Sequence, residues 1–201
     1  MELESFEIEG AAIALYERAG FDPAKAVDPT RLALNLPEFH VEFAQHMRRP
    51  AQLVPGAESR WVLRIRQNAT PKQRRWLAGH ELGESVIAGT QSKSHNVERY
   101  ANNIGAALCI PRPAMHALRY TMGDDFEAIA AETKLTQTIV TLRFGEVYGS
   151  SVAILLPGRV KRVGHLPSDA ELRKIAKAGG CRGVRAVQLT DSNRIALISG
   201  E

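Results

Sequence analysis

Residues 71–88 restrict this chain more than any other segment. Thr70-Pro71-Lys72-Gln73 reads as a capping box with proline at the first helical position, and Gly89 supplies a stop. The sequence therefore predicts a helix from Pro71 to about Ala88. At about 100° per residue, His80, Glu84, Trp76, Leu77 and Ile87 gather on one side, with Glu81 at its edge. The face that ought to meet the core thus carries a histidine and two carboxylates. Burying carboxylates is costly unless they are paired or coordinate a metal. The pattern points to a site before any motif is considered.

A second helix is expected over roughly Asn96–Ile110, ended by Pro111. Glu98, Asn102, Gly105 and Cys109 share one of its faces, with His95 beside them. Ala101, Gly105 and Ala106 are small, which would let this helix lie close to the first. The run His80-Glu81-Leu82-Gly83-Glu84 departs at one position from H-E-x-x-H, in which two histidines hold a metal and the glutamate activates water. A plainer alternative is a helical pair with Glu81 and Glu84 at a solvent edge and His80 hydrogen-bonded. The capped helix, the acids on its apolar face and the second helix offering Glu98 and Asn102 together favour a metal site.

"RWLAGHELGESVI" followed by "VERYANNIGAALCIP" resembles the ImmA/IrrE family of metallopeptidases, whose helices run close to F-x-x-A-H-E-L-G-H and E-x-x-A-N-x-F-A-A-x-L-L-x-P. Ala101-Asn102, Ala106, Leu108 and Pro111 match the second block, while Ile104 stands at its aromatic position and Gly105 at its first alanine. The resemblance covers roughly residues 8–147. It implies an α+β, mainly helical fold: a zincin-like metallopeptidase core with an edge strand beside the active-site helix. It implies His80 as first ligand, Glu81 as general base, Glu84 at the second ligand position and Glu98 as third, with Asn102 steadying a ligand. The implied setting is cytoplasmic regulation of transcription in a bacterium or phage, in which a helix-turn-helix repressor is cleaved.

Two carboxylates would neutralise a divalent ion. Zinc accepts carboxylate oxygen, the ion would be a weaker Lewis acid, and manganese becomes more competitive. His95 could instead replace the missing histidine, giving His80, His95 and Glu98. His95, Tyr100 and His116 are candidates for stabilising an oxyanion. "RWVLRIRQ" (60–67) alternates as a strand, and a peptide substrate could pair along Arg64, Ile65 and Arg66. A contrasting reading is a peptidase fold that binds a repressor or DNA and cuts nothing.

The remainder is organised around these helices. Residues 7–19 and 28–36 read as helices, and 37–59, with its prolines and Gly56, as turns and short pieces. Helix, turn and helix are expected over 124–146, where Thr136-Gln137-Thr138 would start a recognition helix with Arg143 as its basic residue. DNA contact there is not favoured, and packing on the core is the simpler role. "SVAILL" is a strand, 167–180 a helix capped by Ser168, and "VRAVQL" and "RIALIS" a hairpin. The expected domains are thus a core (1–123), the helical pair packed on it (124–149) and a small α+β appendage (150–201).

The net charge of +4 is too mild to argue for nucleic acid by itself, although the basic residues from Arg60 to Arg75 have no acid among them. No apolar run approaches the roughly 20 residues of a membrane helix. Cys109 and Cys181, far apart, suggest core residues in a reducing cytoplasm.

Overall fold

The computed structural model describes residues 5–89, 97–157, 159–181, 183–191 and 194–199. The chain is a mixed α+β protein of two compact units, residues 1–118 and 119–201.

In the first unit, α1 (Ser5–Arg18) and α2 (Pro29–Leu34) precede a three-stranded sheet of β1 (Phe39–Ala44), β2 (Ala51–Pro55) and β3 (Trp61–Arg66). Then come α3 (Pro71–Gly89), α4 (Val97–Cys109) and α5 (Arg112–Met122), the last crossing into the second unit. The expected caps are present: Asp28 accepts from the Thr30 N–H at 2.9 Å, and Thr70 and Gln73 exchange the two bonds of a capping box. Leu63 and Ile65 of the sheet, Leu82 of α3, and Ile104 and Leu108 of α4 are fully buried in one apolar core with Tyr16.

Strand order is β1-β3-β2, with β1 parallel and β2 antiparallel to β3. This corrects the expectation for 60–67. That strand is central, its two main-chain edges are taken, and no peptide can pair along Arg64, Ile65 and Arg66. Among the turns and short pieces expected over 37–59 are the two flanking strands. Both are short and mostly half-buried, so neither shows the strict alternation that marks a strand in sequence. The exposed edge facing α3 belongs to β2. Arg66 N–H donates to Pro50 and Gly56 N–H to the Arg60 carbonyl. In this antiparallel register, Ala51, Leu53 and Pro55 therefore turn their main-chain groups away from β3.

Two polar ties hold the helices on this core. The Tyr16 hydroxyl donates to the Leu108 carbonyl at 2.9 Å and accepts from the Val27 N–H at 3.1 Å. Burial pushes its pKa far above the ordinary range, so it stays a donor. The buried Arg75 guanidinium bonds the carbonyls of Ala26, Val27 and Cys109 at 2.8–3.0 Å.

In the second unit, α6 (Phe126–Thr133) and α7 (Gln137–Tyr148) share a fold with an antiparallel sheet ordered β5-β4-β8-β7-β6 and with α8 (Asp169–Lys177). The strands are β4 (Ser151–Leu156), β5 (Arg159–Val163), β6 (Gly180–Cys181), β7 (Val184–Leu189) and β8 (Arg194–Ser199). Ala153 and Leu197 pack with Leu172 of α8, while Val152, of opposite parity, meets Gly145 of α7. The helical pair expected at 124–149 thus falls in one unit with the tail, and the single division lies at 118/119. Gln137, Thr138 and Arg143 are buried. The Gln137 N–H donates to Asp191 at 2.9 Å, its amide nitrogen to Thr190 at 3.0 Å, and Arg194 to Thr138 at 3.4 Å. The first turn of the supposed recognition helix is therefore closed to DNA. Cys109 is buried as expected, but Cys181 is exposed at the sheet edge.

The closest packing in the first unit is between α3 and α4. A Cβ built on Gly79 would lie 2.8 Å from the Gly105 carbonyl oxygen, and one on Gly83 2.6 Å from that of Ala101. Gly83→Ala gains roughly 1 kcal/mol of helix propensity but must push the two backbones apart. We expect a net loss of about 1–2 kcal/mol in urea unfolding; a gain in stability would contradict this contact.

Candidate metal centre

His80 and Glu84 stand one turn apart on α3, and the glycine contact brings Glu98 of α4 opposite them. His80 Nε2 lies 3.6 Å from Glu84 Oε1 and 3.7 Å from Glu98 Oε2. One donor atom from each of the three residues falls within 4.8 Å of the others. Donors about 2.0–2.1 Å from a tetrahedral ion stand about 3.4 Å apart. Two of the three separations are within a few tenths of an ångström of that value, and the donor set of imidazole and carboxylate suits a divalent cation. Exposure rises across the cluster, from 16% for the His80 side chain to 37% for Glu84 and 79% for Glu98. The cluster lies at the surface with one largely buried donor.

Asn102 lies where α4 brings it against His80, its Oδ1 3.2 Å from His80 Nδ1. When Nδ1–H donates to this oxygen, the lone pair is left on Nε2, the nitrogen that faces both carboxylates. Glu81 differs from its placement on the helical wheel. It sits not at an edge but buried, 7% exposed. Burial raises its pKa, the neighbouring Glu84 charge raises it further, and His80, the Leu53 main chain and Arg49 pull it down. Since Leu53 turns its N–H outward from β2, it is that edge of the sheet which lies against Glu81.

The other candidates are not part of this cluster. Tyr100 is buried in the apolar core, and His116 is exposed on α5. His95 lies outside the described residues. Arg64 pairs with Glu42 at 2.9 Å, Ile65 is fully buried, and Arg66 donates to the Met47 carbonyl at 3.1 Å. Sequence reasoning missed Leu53 and Arg49, since neither β2 nor the turn before it carries a motif. It also missed Gly79 and Gly83, although their spacing of four within the motif was a readable sign of helix contact.

A histidine and two glutamates gathered from two close helices, beside a buried carboxyl and an exposed strand edge, have the layout of a metallopeptidase. The profile of the peptidase M78 family, the IrrE N-terminal-like domain, matches residues 33–144, and the chain belongs to that family. Among solved structures it is similar to a Mycobacterium tuberculosis transcriptional regulator, with a TM-score of 0.59 and 15% identity over 82% of this chain. At that identity the likeness is one of fold, and the match spans 56% of the regulator's own length. No curated protein matches the chain.

Because folding raises the Glu81 pKa, the folded protein holds that proton more tightly than the unfolded chain. Stability then falls as pH rises from the unfolded value through the folded one. In chelator-treated protein, Glu81→Gln should raise Tm at pH 7, and the gain should shrink toward pH 4. A lower Tm for the variant at pH 7 would mean that the ionised carboxylate is stabilised by its surroundings.

Proposed function

We propose that the chain is a metal-dependent peptidase in which His80, Glu84 and Glu98 hold a divalent cation, and Glu81 is the general base. The convergence of His80 Nε2 on two carboxylates beside a buried third one carries this reading. The cation, zinc or the harder manganese, would supply Lewis acidity to a substrate carbonyl and to water. Glu81, its basicity raised by burial, accepts the proton from that water and delivers it to the leaving amine. Asn102 fixes the imidazole so that Nε2 keeps its lone pair.

The substrate strand adds to β2, not to β3. Leu53 N–H is engaged by Glu81, which leaves the outward carbonyls of the half-buried Leu53 and the exposed Pro55 to pair with a peptide. The substrate is a protein, and we assign it to the class of transcriptional repressors. The family and the fold shared with a transcriptional regulator support that setting. No described helix is long and apolar enough to cross a membrane, and the protein would act in the cytoplasm. Glu84 in place of the motif's second histidine favours one other reading, a regulator that binds the repressor without cutting it.

Elemental analysis of freshly purified protein should find about one divalent ion per chain, with at least a tenfold weaker hold in Glu84→Ala. Equal metal in both proteins removes Glu84 from the site. Cleavage of a co-expressed repressor should disappear in Glu81→Gln. Binding without cleavage by the unaltered protein would establish the non-catalytic reading instead.

A further inference from the structure

A cavity of about 390 Å³ lies beside the first half of α3, lined by Pro50, Ala69, Trp76 and Leu77 together with the polar Arg66, Asn68 and Gln73. Its place relative to the site follows from two elements that line both. On α3, Trp76 stands one turn before His80 and Leu77 one turn before Glu81, on the same faces. On the sheet, Pro50 immediately precedes β2, whose Leu53 meets Glu81 three residues on. Strand and helix therefore run side by side from the cavity to the carboxylates. A strand rises about 3.3 Å per residue, so the cavity opens about two to three residues from the point opposite Glu81.

We propose that this cavity is the specificity pocket for a bulky apolar side chain of the peptide, two to three residues from the bond that is cut. The inference rests on the peptidase reading for its distance from the cut, but on the cavity alone for its chemistry. Pro50, Ala69, Trp76 and Leu77 offer apolar surface on several sides, and Trp76 and Leu77 are only partly buried. Aromatic and long aliphatic residues gain most from such a wall. Arg66 spends one N–H on the Met47 carbonyl and keeps further donors beside the cavity. These suit main-chain carbonyls of the peptide on either side of the buried residue.

The test separates binding from chemistry. Blocked, fluorescein-labelled decapeptides carrying Phe, Leu, Ala or Glu at successive positions are titrated against Glu81→Gln by anisotropy. Emission from Trp76, isolated by Trp61→Phe, locates the contact. Phe or Leu peptides should bind at least about tenfold tighter than their Ala and Glu counterparts and shift the Trp76 emission. Trp76→Ala, which removes apolar lining, and Asn68→Phe, which adds bulk to the lining, should each erase the preference. Equal affinity for all four peptides, or a preference that survives both variants, overturns the pocket. The same peptides are then offered to the unaltered protein. Selective binding without any cleavage refutes the peptidase reading and leaves the pocket; cleavage with no preference at the fixed distance refutes the pocket and leaves the peptidase.

Discussion

Backbone contact between α3 and α4 sets everything at the site. Gly79, Gly83 and Gly105 leave no room for a side chain between the two helices, so carbonyls and amides of one meet the other directly. Only at that separation can a glutamate rooted on α4 reach a histidine rooted on α3. A pair of larger residues would widen the gap by ångströms, and the donor separations of 3.6 and 3.7 Å would open with it. The motif is thus two patterns interleaved on one helix: donors at 80, 81 and 84, and space at 79 and 83. Each is uninformative without the other.

Around that contact the polar groups are graded by depth. Arg75 and Tyr16 are inside and spend their hydrogen bonds on main-chain groups, holding helix ends and the loop before α2. Glu81 is also inside, and that burial, with the Glu84 charge beside it, raises its hold on a proton. Outside it come His80, then Glu84, then Glu98.

Helix boundaries were the most legible part of the sequence, because capping is local chemistry. The box at Thr70 and Gln73, the cap at Asp28 and the cap at Ser168 all form as their side chains dictate. That Asn102 shares a helix face with Glu98 was also legible from the spacing of one turn; that it meets His80 on the other helix was not. Strand order was not. It depends on partners tens of residues apart, and β1 and β2 are too short and too little buried to announce themselves. The segment with the best alternation, 60–67, earned its pattern by being central, the opposite of the role inferred for it. Helix α5 and strand β5 have no cap or alternation that marks them, and the burial of Gln137 and Thr138 at the polar start of α7, where DNA contact was not favoured, depends on Thr190, Asp191 and Arg194 far along the chain.

The prolines that bracket β2 have a consequence for the life of the protein in a crowded solution. Neither Pro50 nor Pro55 has an N–H, and the outward N–H of Leu53 is spent on Glu81. The remaining outward N–H, on Ala51, belongs to a buried residue. Sheets grow by rows of such donors, and an edge stripped of them is a poor seed for aggregation. A second copy of the sheet finds too little on this side to hold.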